Sequence, residues 1–322
     1  MNRVDNIIIG FGKAGKTLAG YLGSKGEKTV LVEKSPLMYG GTCINVGCIP
    51  SKFLATSADR KAYSQLGDEE YYKQAVENKK ALISKLNKAN YDKVAGVPNV
   101  EVIDGLASFK DEHTVSIKTE SGVQELYAER IFINTGTTPF VPETEGLEIK
   151  GRIHTSETIM NLEEFPRSLA ISGSGFIGLE FAASYAKFGT KVTIIDRGSK
   201  ILPREDEDVA NAVFEAYKGL GIEFIFDANI EKVEQDESEV KISYSSKGEV
   251  HELSAEAFLL LQPEISSTTT TSNNRWIGLV GLFQQLFLFP ENIFDSLVDL
   301  FNLIEGNLPN HLAFVNLGLK SA

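Results

Sequence analysis

The sequence predicts an α/β protein with two doubly wound domains in tandem, each built on a parallel sheet between helices. Two observations favour this fold: a strand–glycine turn–helix–strand segment occurs twice, and each copy ends its second strand on an acidic residue. The length of 322 residues is enough for about two domains and a large buried core. We expect one domain over residues 1–146, a second over residues 147–261, and an atypical tail over residues 262–322.

The first copy begins with IIIGFGKAG, residues 7–15. Three isoleucines predict a short buried strand, and Gly10, Gly12 and Gly15 then form a G-x-G-x-x-G turn. A helical stretch follows, and TVLVE predicts a second strand that ends at Glu33. In such a turn the first glycine permits the tight bend, the second lets a pyrophosphate approach the backbone, and the third lets the helix pack on the strand.

The second copy begins with LAISGSGFIG, residues 169–178. Gly173, Gly175 and Gly178 repeat the spacing, and KVTIID predicts a strand that ends at Asp196, at the same offset from the first glycine as in the first copy. A helix amino terminus offers N–H groups and a partial positive charge to phosphates, and the acid accepts hydrogen bonds from a ribose. Two Rossmann-like domains and two dinucleotides are therefore predicted.

The overall charge excludes some partners. The formal net charge is −12 and the sequence pI is about 5.0, which argues against nucleic acid or an anionic membrane surface as a general partner. No apolar run reaches the ~18 residues that a membrane span needs, and no export signal is visible at the start of the chain. We expect a cytoplasmic protein with no membrane partner.

The two cysteines of the chain lie together in YGGTCINVGCIPSK, residues 39–52. Cys43 and Cys48 have three interpretations: zinc ligands, inert core residues or a redox pair. Zinc is disfavoured because none of the four histidines is paired at ligand spacing. The surrounding glycines are untypical of a core, and Gly47 and Pro50 are residues that bend the backbone. A redox pair is therefore favoured, and no metal site is predicted.

The string GTCINVGCIPSK resembles the active-site motif of the class I pyridine nucleotide-disulfide oxidoreductases, which include dihydrolipoyl dehydrogenase and mercuric reductase. The strings GFGKAGKTLA, MYGGTCINVGCIPSK, IFINTGTTP and LPRED are most similar to the subgroup named for reactive-chlorine resistance. The resemblance runs from the start to about residue 260. It implies an FAD-dependent enzyme that passes electrons from NAD(P)H through FAD to a Cys43–Cys48 disulfide, and then to a disulfide or metal-ion acceptor.

The resemblance also implies roles for individual residues. It places at the FAD site Gly10, Gly12, Gly15, Glu33, Gly41, Thr42, Lys52, Ala107, Thr135 and Gly136. It places at the NAD(P)H site Gly173, Gly175, Gly178, Glu180 and Asp196. As catalytic groups it implies Cys43, which meets the substrate, Cys48, which meets the flavin, and Lys52, beside the flavin ring.

The identity of the nicotinamide cofactor depends on Asp196. A carboxylate there bonds a ribose 2′-hydroxyl and repels a 2′-phosphate, so NADH is favoured over NADPH, although Arg197 and Arg204 offset this preference. Residues 69–95 are expected to form a charged amphipathic helix. His154 is expected to be an ordinary surface residue.

The last part of the chain departs from the family. The family continues with a strand ending in Ala-Thr-Gly, a Gly-Asp segment of the FAD site and a dimerisation domain with a His-Glu pair. This chain instead continues with QPEISSTTTTSNNRW, and apolar residues at helical spacing over 293–304. We expect a chain truncated or frameshifted after about residue 260, for which the family homodimer is doubtful. The alternative function is a nucleotide-binding relative without turnover.

Overall fold

The computed structural model describes residues 2–261, 264–266 and 312–314, the last two segments by their backbone only. The chain divides into two compact units that alternate along the sequence. The first contains Met1–Asn45, Ser84–Thr138 and the described strands beyond residue 263; the second contains Val46–Ile83 and Pro139–Pro263. The domain boundaries expected at residues 146 and 261 stay predictions.

The described helices are α1 (Lys13–Ser24), α2 (Thr42–Asn45), α3 (Cys48–Lys61), α4 (Asp68–Ala95), α5 (Phe176–Phe188) and α6 (Glu207–Gly219). Short 3-10 turns cover Pro36–Met38 and Ile159–Asn161. The helix expected over residues 69–95 is confirmed as α4.

The described strands are β1 (Asn2–Ile9), β2 (Thr29–Glu33), β3 (Val100–Asp104), β4 (Leu106–Phe109), β5 (Thr114–Thr119), β6 (Gly122–Ile133), β7 (Thr137–Pro139), β8 (Ile153–His154), β9 (Ser168–Ser172), β10 (Lys191–Ile195), β11 (Glu223–Ile225), β12 (Ala228–Gln235), β13 (Val240–Ser246), β14 (Glu249–Ala255), β15 (Ala257–Leu260), β16 (Glu264–Ser266) and β17 (Leu312–Phe314).

The first unit is built on one mixed sheet with strand order β3-β2-β1-β6-β5-β4. Strands β3, β2, β1 and β6 are parallel, and β17 adds a further parallel pairing to the end of β6. Strands β5 and β4 are antiparallel. Ile7 and Ile8 in β1 are fully buried, as expected for a parallel strand covered on both faces.

The second unit contains a fully parallel sheet with strand order β11-β10-β9-β15-β8. A separate antiparallel sheet of β12, β13 and β14 packs through a second apolar cluster. In both units the first strand of the repeat lies between its partner strand and a later strand, which is the switch point of a doubly wound sheet. The predicted α/β fold is confirmed.

Helix α3 and the first part of α4 belong to the second unit because their apolar side chains join its core. Tyr72 is fully buried, and its hydroxyl lies 3.1 Å from that of Tyr185 and 3.0 Å from the carbonyl oxygen of Leu162. Lys79 is only 2% exposed and donates to the Met160 carbonyl at 2.6 Å. Burial lowers the pKa of Lys79 to about 8.

The expectation that His154 lies at the surface is wrong. The residue ends β8 and is only 9% exposed, and burial lowers its pKa. A lone histidine carries no sequence signal that separates a covered strand end from a surface loop. The helical spacing expected over residues 293–304 lies outside the described residues. Within the described part of the chain, no helix is both long and apolar enough to cross a membrane.

Candidate functional site

The first glycine turn joins β1 to α1, as predicted, and close contacts explain two of its three glycines. Gly10 has a φ of +108°, and a methyl group added to it would lie 2.1 Å from the Asn134 carbonyl oxygen. A methyl group on Gly15 would lie 2.2 Å from the Gly10 carbonyl oxygen. Since real side chains do not approach backbone atoms this closely, both positions require glycine.

The middle glycine of this turn is covered by another backbone segment. Gly41 has a φ of +75°, and a methyl group on it would lie 2.6 Å from Gly12 Cα. The Gly40 N–H also donates to the Phe11 carbonyl at 3.1 Å. Gly40 and Gly41, which precede Cys43, therefore pack directly on the first glycine turn, within the first unit.

Glu33 lies at the end of β2, beside this turn. It is 7% exposed, and its carboxylate accepts the Phe11 N–H on Oε2 at 2.9 Å and the Ser35 N–H on Oε1 at 3.2 Å. Burial raises the pKa of Glu33, and these backbone donors oppose the rise. Each oxygen keeps one lone-pair direction for a further donor, such as a ribose hydroxyl.

Asn134 is a contributor that the sequence reasoning missed. It follows β6, its N–H donates to the Ile9 carbonyl at 2.7 Å, and its side-chain amide donates to the Gly10 carbonyl at 3.2 Å. Its signal in the sequence was its place before Thr135 and Gly136, in INTG. Those two residues follow at the carboxyl end of β6, at the edge where the glycine turn lies.

Two other predicted FAD contacts, Thr42 and Ala107, also lie in the first unit. Thr42 is the first residue of α2, next to Gly41. Ala107 lies in β4, where it pairs with Ile117 and packs against an apolar cluster of the sheet. Their roles as cofactor contacts stay predictions.

The second glycine turn joins β9 to α5 and repeats the contacts of the first. Gly173 has a φ of +104°, and a methyl group on Gly178 would lie 2.1 Å from the Gly173 carbonyl oxygen. A methyl group on Gly175 would meet none of the described atoms within 4 Å. The second turn is therefore open over its middle glycine, on the side where a pyrophosphate would approach.

Asp196 follows β10 and has a different set of donors from Glu33. Its Oδ2 accepts both the N–H and the hydroxyl of Ser174, at 2.5 Å and 2.6 Å. Its Oδ1 accepts the Gly198 N–H at 2.6 Å. Three protein donors thus hold this carboxylate at the carboxyl edge of the second sheet.

Cys43 lies within α2 in the first unit and is partly buried. The Lys16 ammonium, in the first turn of α1, donates to the Asn90 side chain and interacts electrostatically with Cys43. Burial lowers the pKa of Lys16, nearby Lys13 lowers it further, and the interaction with Cys43 opposes the change. Lys16 is a second residue that the sequence reasoning missed, although it directly follows the first glycine motif.

Cys48 is the first residue of α3, in the second unit, and is exposed. One turn later Lys52 donates to Glu180 Oε2 on α5 at 2.6 Å. Glu180 Oε1 is buried and accepts no hydrogen bond from the described protein atoms. The structure thus brings together two predicted residues that are far apart in the chain, and leaves one carboxylate oxygen for a further donor.

The two turns meet the requirements of dinucleotide phosphates. Gly12 and Gly175 directly precede α1 and α5, and no described side chain caps either helix. The amino-terminal N–H groups are therefore available to an anion. Together with the acceptor carboxylates of Glu33 and Asp196, these donors fit the phosphates and the ribose of a dinucleotide at each turn. The residues that the structure describes include no group of three or more His, Cys, Asp or Glu side chains suited to a metal ion.

Comparison with known proteins gives consistent matches over this region. Residues 4–261 match the family model described as pyridine nucleotide-disulphide oxidoreductase. The chain is 39% identical over 242 residues to the probable pyridine nucleotide-disulfide oxidoreductase RclA of Escherichia coli, covering 75% of this chain and 53% of that protein. It is 31% identical over 264 residues to the dihydrolipoyl dehydrogenase of Geobacillus stearothermophilus, covering 80% of this chain and 55% of that protein.

A solved structure matches as well. The Cu(II) complex of the HOCl-induced flavoprotein disulfide reductase RclA from Escherichia coli superimposes with a TM-score of 0.77 at 37% identity. That match covers 83% of this chain and 58% of the solved chain. The chain therefore spans little more than half the length of these relatives.

Proposed function

Because the chain belongs to the pyridine nucleotide-disulfide oxidoreductase family, we propose that it passes electrons from NAD(P)H through FAD to a Cys43–Cys48 disulfide and on to a small acceptor. Members of the family are flavoproteins that use FAD and NAD(P)H. The observation that carries the proposal is the matched pair of glycine turns, each with an uncapped helix and a strand-end acid. In this proposal the first turn binds FAD and the second turn binds NAD(P)H.

The protein side chains bind and orient the cofactors. Glu33 would accept hydrogen bonds from the ribose hydroxyls of FAD, and the N–H groups at the start of α1 would bind its pyrophosphate. Asp196 would accept hydrogen bonds from a ribose of NAD(P)H, and the N–H groups at the start of α5 would bind its pyrophosphate. When bound, the two cofactors supply hydride transfer and electron relay. The remaining predicted contacts, from Gly41 and Thr42 to Thr135 and Gly136, belong to the same proposal.

The cysteines accept the electrons. Two electrons and two protons break the S–S bond and give two thiols; NADH supplies the electrons with one proton, and water supplies the other. Cys43, beside Lys16, is then the thiol that attacks the acceptor, because the ammonium stabilises a thiolate. Lys52, paired with Glu180, places a cation one helical turn from Cys48.

For the final acceptor we propose a disulfide or a metal ion. The relatives include mercuric reductase from Staphylococcus aureus, at 28% identity, and the RclA structure is a Cu(II) complex. For the nucleotide we propose NADH over NADPH, because Asp196 bears a negative charge at the ribose position. We further propose a cytoplasmic location, where a reducing environment favours catalytic over structural cysteines.

A second candidate function is a nucleotide-binding protein of this family without turnover. The match to the family model ends at residue 261, while the chain continues to residue 322. The family segment that ends in Gly-Asp and contributes to the FAD site is not found in this tail. Binding without electron transfer to the cysteines is the behaviour that this candidate predicts.

Counting thiols separates the two candidates. Protein purified under air and supplied with FAD is titrated with a thiol reagent, without reductant, with NADH in the absence of oxygen, and with dithiothreitol. The proposed enzyme exposes two additional thiols per chain with either reductant. The binding protein exposes them with dithiothreitol only. Cys43→Ser and Cys48→Ser should gain no thiols on reduction, and equal counts in all three conditions for the wild type would contradict a redox pair.

A further inference from the structure

Ser174 occupies the variable position between the first two glycines of the second turn. Its side chain is 3% exposed, and both its N–H and its hydroxyl donate to Asp196 Oδ2. The equivalent residue of the first turn is Phe11, which gives Glu33 only its N–H, at 2.9 Å. The hydroxyl contact to the strand-end acid is therefore a feature of the second turn alone.

This contact determines which hydrogen-bonding groups the site offers to a ligand. A serine hydroxyl has one proton and two lone pairs. Because Ser174 donates its proton to Asp196 at 2.6 Å and is buried, its hydroxyl offers no donor to a ligand, and the carboxylate that it holds offers only acceptors. The Ser174–Asp196 pair therefore presents acceptors to the ribose position.

An acceptor-only surface discriminates between the two nicotinamide cofactors. The adenosine ribose of NADH carries a 2′-hydroxyl, which can donate a proton to this pair. NADPH carries a 2′-phosphate, which has negative charge and chiefly accepts hydrogen bonds. The opposing features are Arg197, which follows Asp196, and Arg204; both are exposed and attract a phosphate.

We propose that Ser174 is a specificity-determining residue of the second nucleotide site, which favours NADH by committing its hydroxyl proton to Asp196. The proposal rests on the proposed function, since it requires that this turn bind a nicotinamide nucleotide. Ser174→Ala removes one of the three donors that hold the carboxylate. We expect NAD⁺ affinity to fall about threefold to tenfold, the effect of one hydrogen bond, and NADP⁺ affinity to change less than about twofold.

The test is calorimetric titration with NAD⁺ and NADP⁺, which bind without reducing the protein. The full chain is compared with Ser174→Ala, Asp196→Asn and the double variant. Ser172→Ala is the matched control, because Ser172 is also a buried serine of this segment, 8% exposed, and none of the described hydrogen bonds joins its side chain to Asp196. If Ser174 acts through Asp196, its substitution has no further effect on the ratio of the two affinities in the Asp196→Asn background.

Three results would overturn the proposal. Equal losses of NAD⁺ and NADP⁺ affinity in Ser174→Ala would indicate a merely structural role. Unchanged affinities for both nucleotides in Ser174→Ala, with wild-type protein that binds NAD⁺, would contradict the role of Ser174 while leaving the proposed function intact. Wild-type protein that binds neither nucleotide would contradict both. Thermal unfolding of each variant shows whether the affinities are compared in folded proteins.

Discussion

The two glycine turns have the same backbone contacts but different surroundings. In both, the third glycine lies against the carbonyl of the first, and the N–H after the first glycine donates to the strand-end acid. The first turn is covered at Gly12 by the backbone of Gly41, whereas none of the described atoms covers Gly175. The shared contacts are those that any dinucleotide needs. We propose that the Gly41 segment encloses a cofactor bound beside the first turn, which is then retained, whereas a nucleotide at the open second turn exchanges.

The third glycines should give the largest effects and should behave alike. In Gly15→Ala and Gly178→Ala the new methyl group would lie 2.2 Å and 2.1 Å from a backbone oxygen. We expect each substitution to lower the free energy of unfolding by about 1–3 kcal/mol, measured by urea denaturation. Gly20→Ala is the control, because Gly20 lies in α1 with no described atom near its added methyl group. A large difference between the stability losses of Gly15→Ala and Gly178→Ala would contradict the equivalence of the two turns.

The middle glycines should behave differently. Both have φ values that alanine adopts readily, −70° and −72°. A methyl group on Gly12 would lie 3.0 Å from the Asn134 amide, whereas one on Gly175 is unobstructed. We expect Gly12→Ala to lose about 1 kcal/mol of stability through overpacking and Gly175→Ala to keep its stability. Gly175→Ala should instead lose at least about tenfold in NAD⁺ affinity, because its methyl group occupies the approach of the pyrophosphate. Equal melting temperatures for the two variants would contradict the finding that Gly12 is covered and Gly175 is open.

The buried acid of the first turn should make stability depend on pH. Burial raises the pKa of Glu33 above 4.5, so the unfolded chain ionises at lower pH than the folded chain. Raising the pH from about 4 through the folded pKa should therefore lower the stability of wild type relative to Glu33→Gln, by about 1.4 kcal/mol per unit of pKa difference. Urea denaturation of both proteins without nucleotide, from pH 4 to 8, measures this. A constant difference in stability between the two proteins across that range would show that burial does not raise the pKa of Glu33.

The smallest effect concerns the ion pair that joins α3 to α5. The side chains of Lys52 and Glu180 are 68% and 31% exposed, so their coupling energy in a double-mutant cycle should be about 0.2–1 kcal/mol. Asp59 and Lys187 pair between the same helices, at 61% and 39% exposure, and provide a comparison cycle expected to give no more. A coupling energy of several kcal/mol for Lys52 and Glu180 would mean that the pair stabilises the second unit far more than exposed ions do.

The sequence was sufficient for the parts of this fold that depend on local pattern. The glycine spacing, the isoleucine-rich strands and the strand-end acids identified both turns, because each feature lies within one short segment. Residues joined by distant contacts were missed. Asn134 acts only because β6 returns beside β1, and although the string INTG marks that return, it does not indicate the amide contact to the first glycine turn.

Burial and side-chain pairing were also beyond the local pattern. Lys52 and Glu180 were both assigned to cofactor sites, but their ion pair depends on α3 packing against α5 in the second unit. The burial of His154 depends on the elements that cover β8, and the residues around it in the sequence do not indicate that cover. The role of Ser174 could not be inferred from the G-x-G-x-x-G motif, because the motif specifies the glycines and not the residue between them.

Cofactor retention tests the contrast between the two turns most directly. The full chain is mixed with equal amounts of FAD and NAD⁺, passed through a desalting column, and denatured, and the released nucleotides are quantified. The account predicts about one FAD per chain and almost no NAD⁺, because the first turn is covered and the second is open. Loss of both nucleotides, or retention of NAD⁺ in preference to FAD, would contradict it.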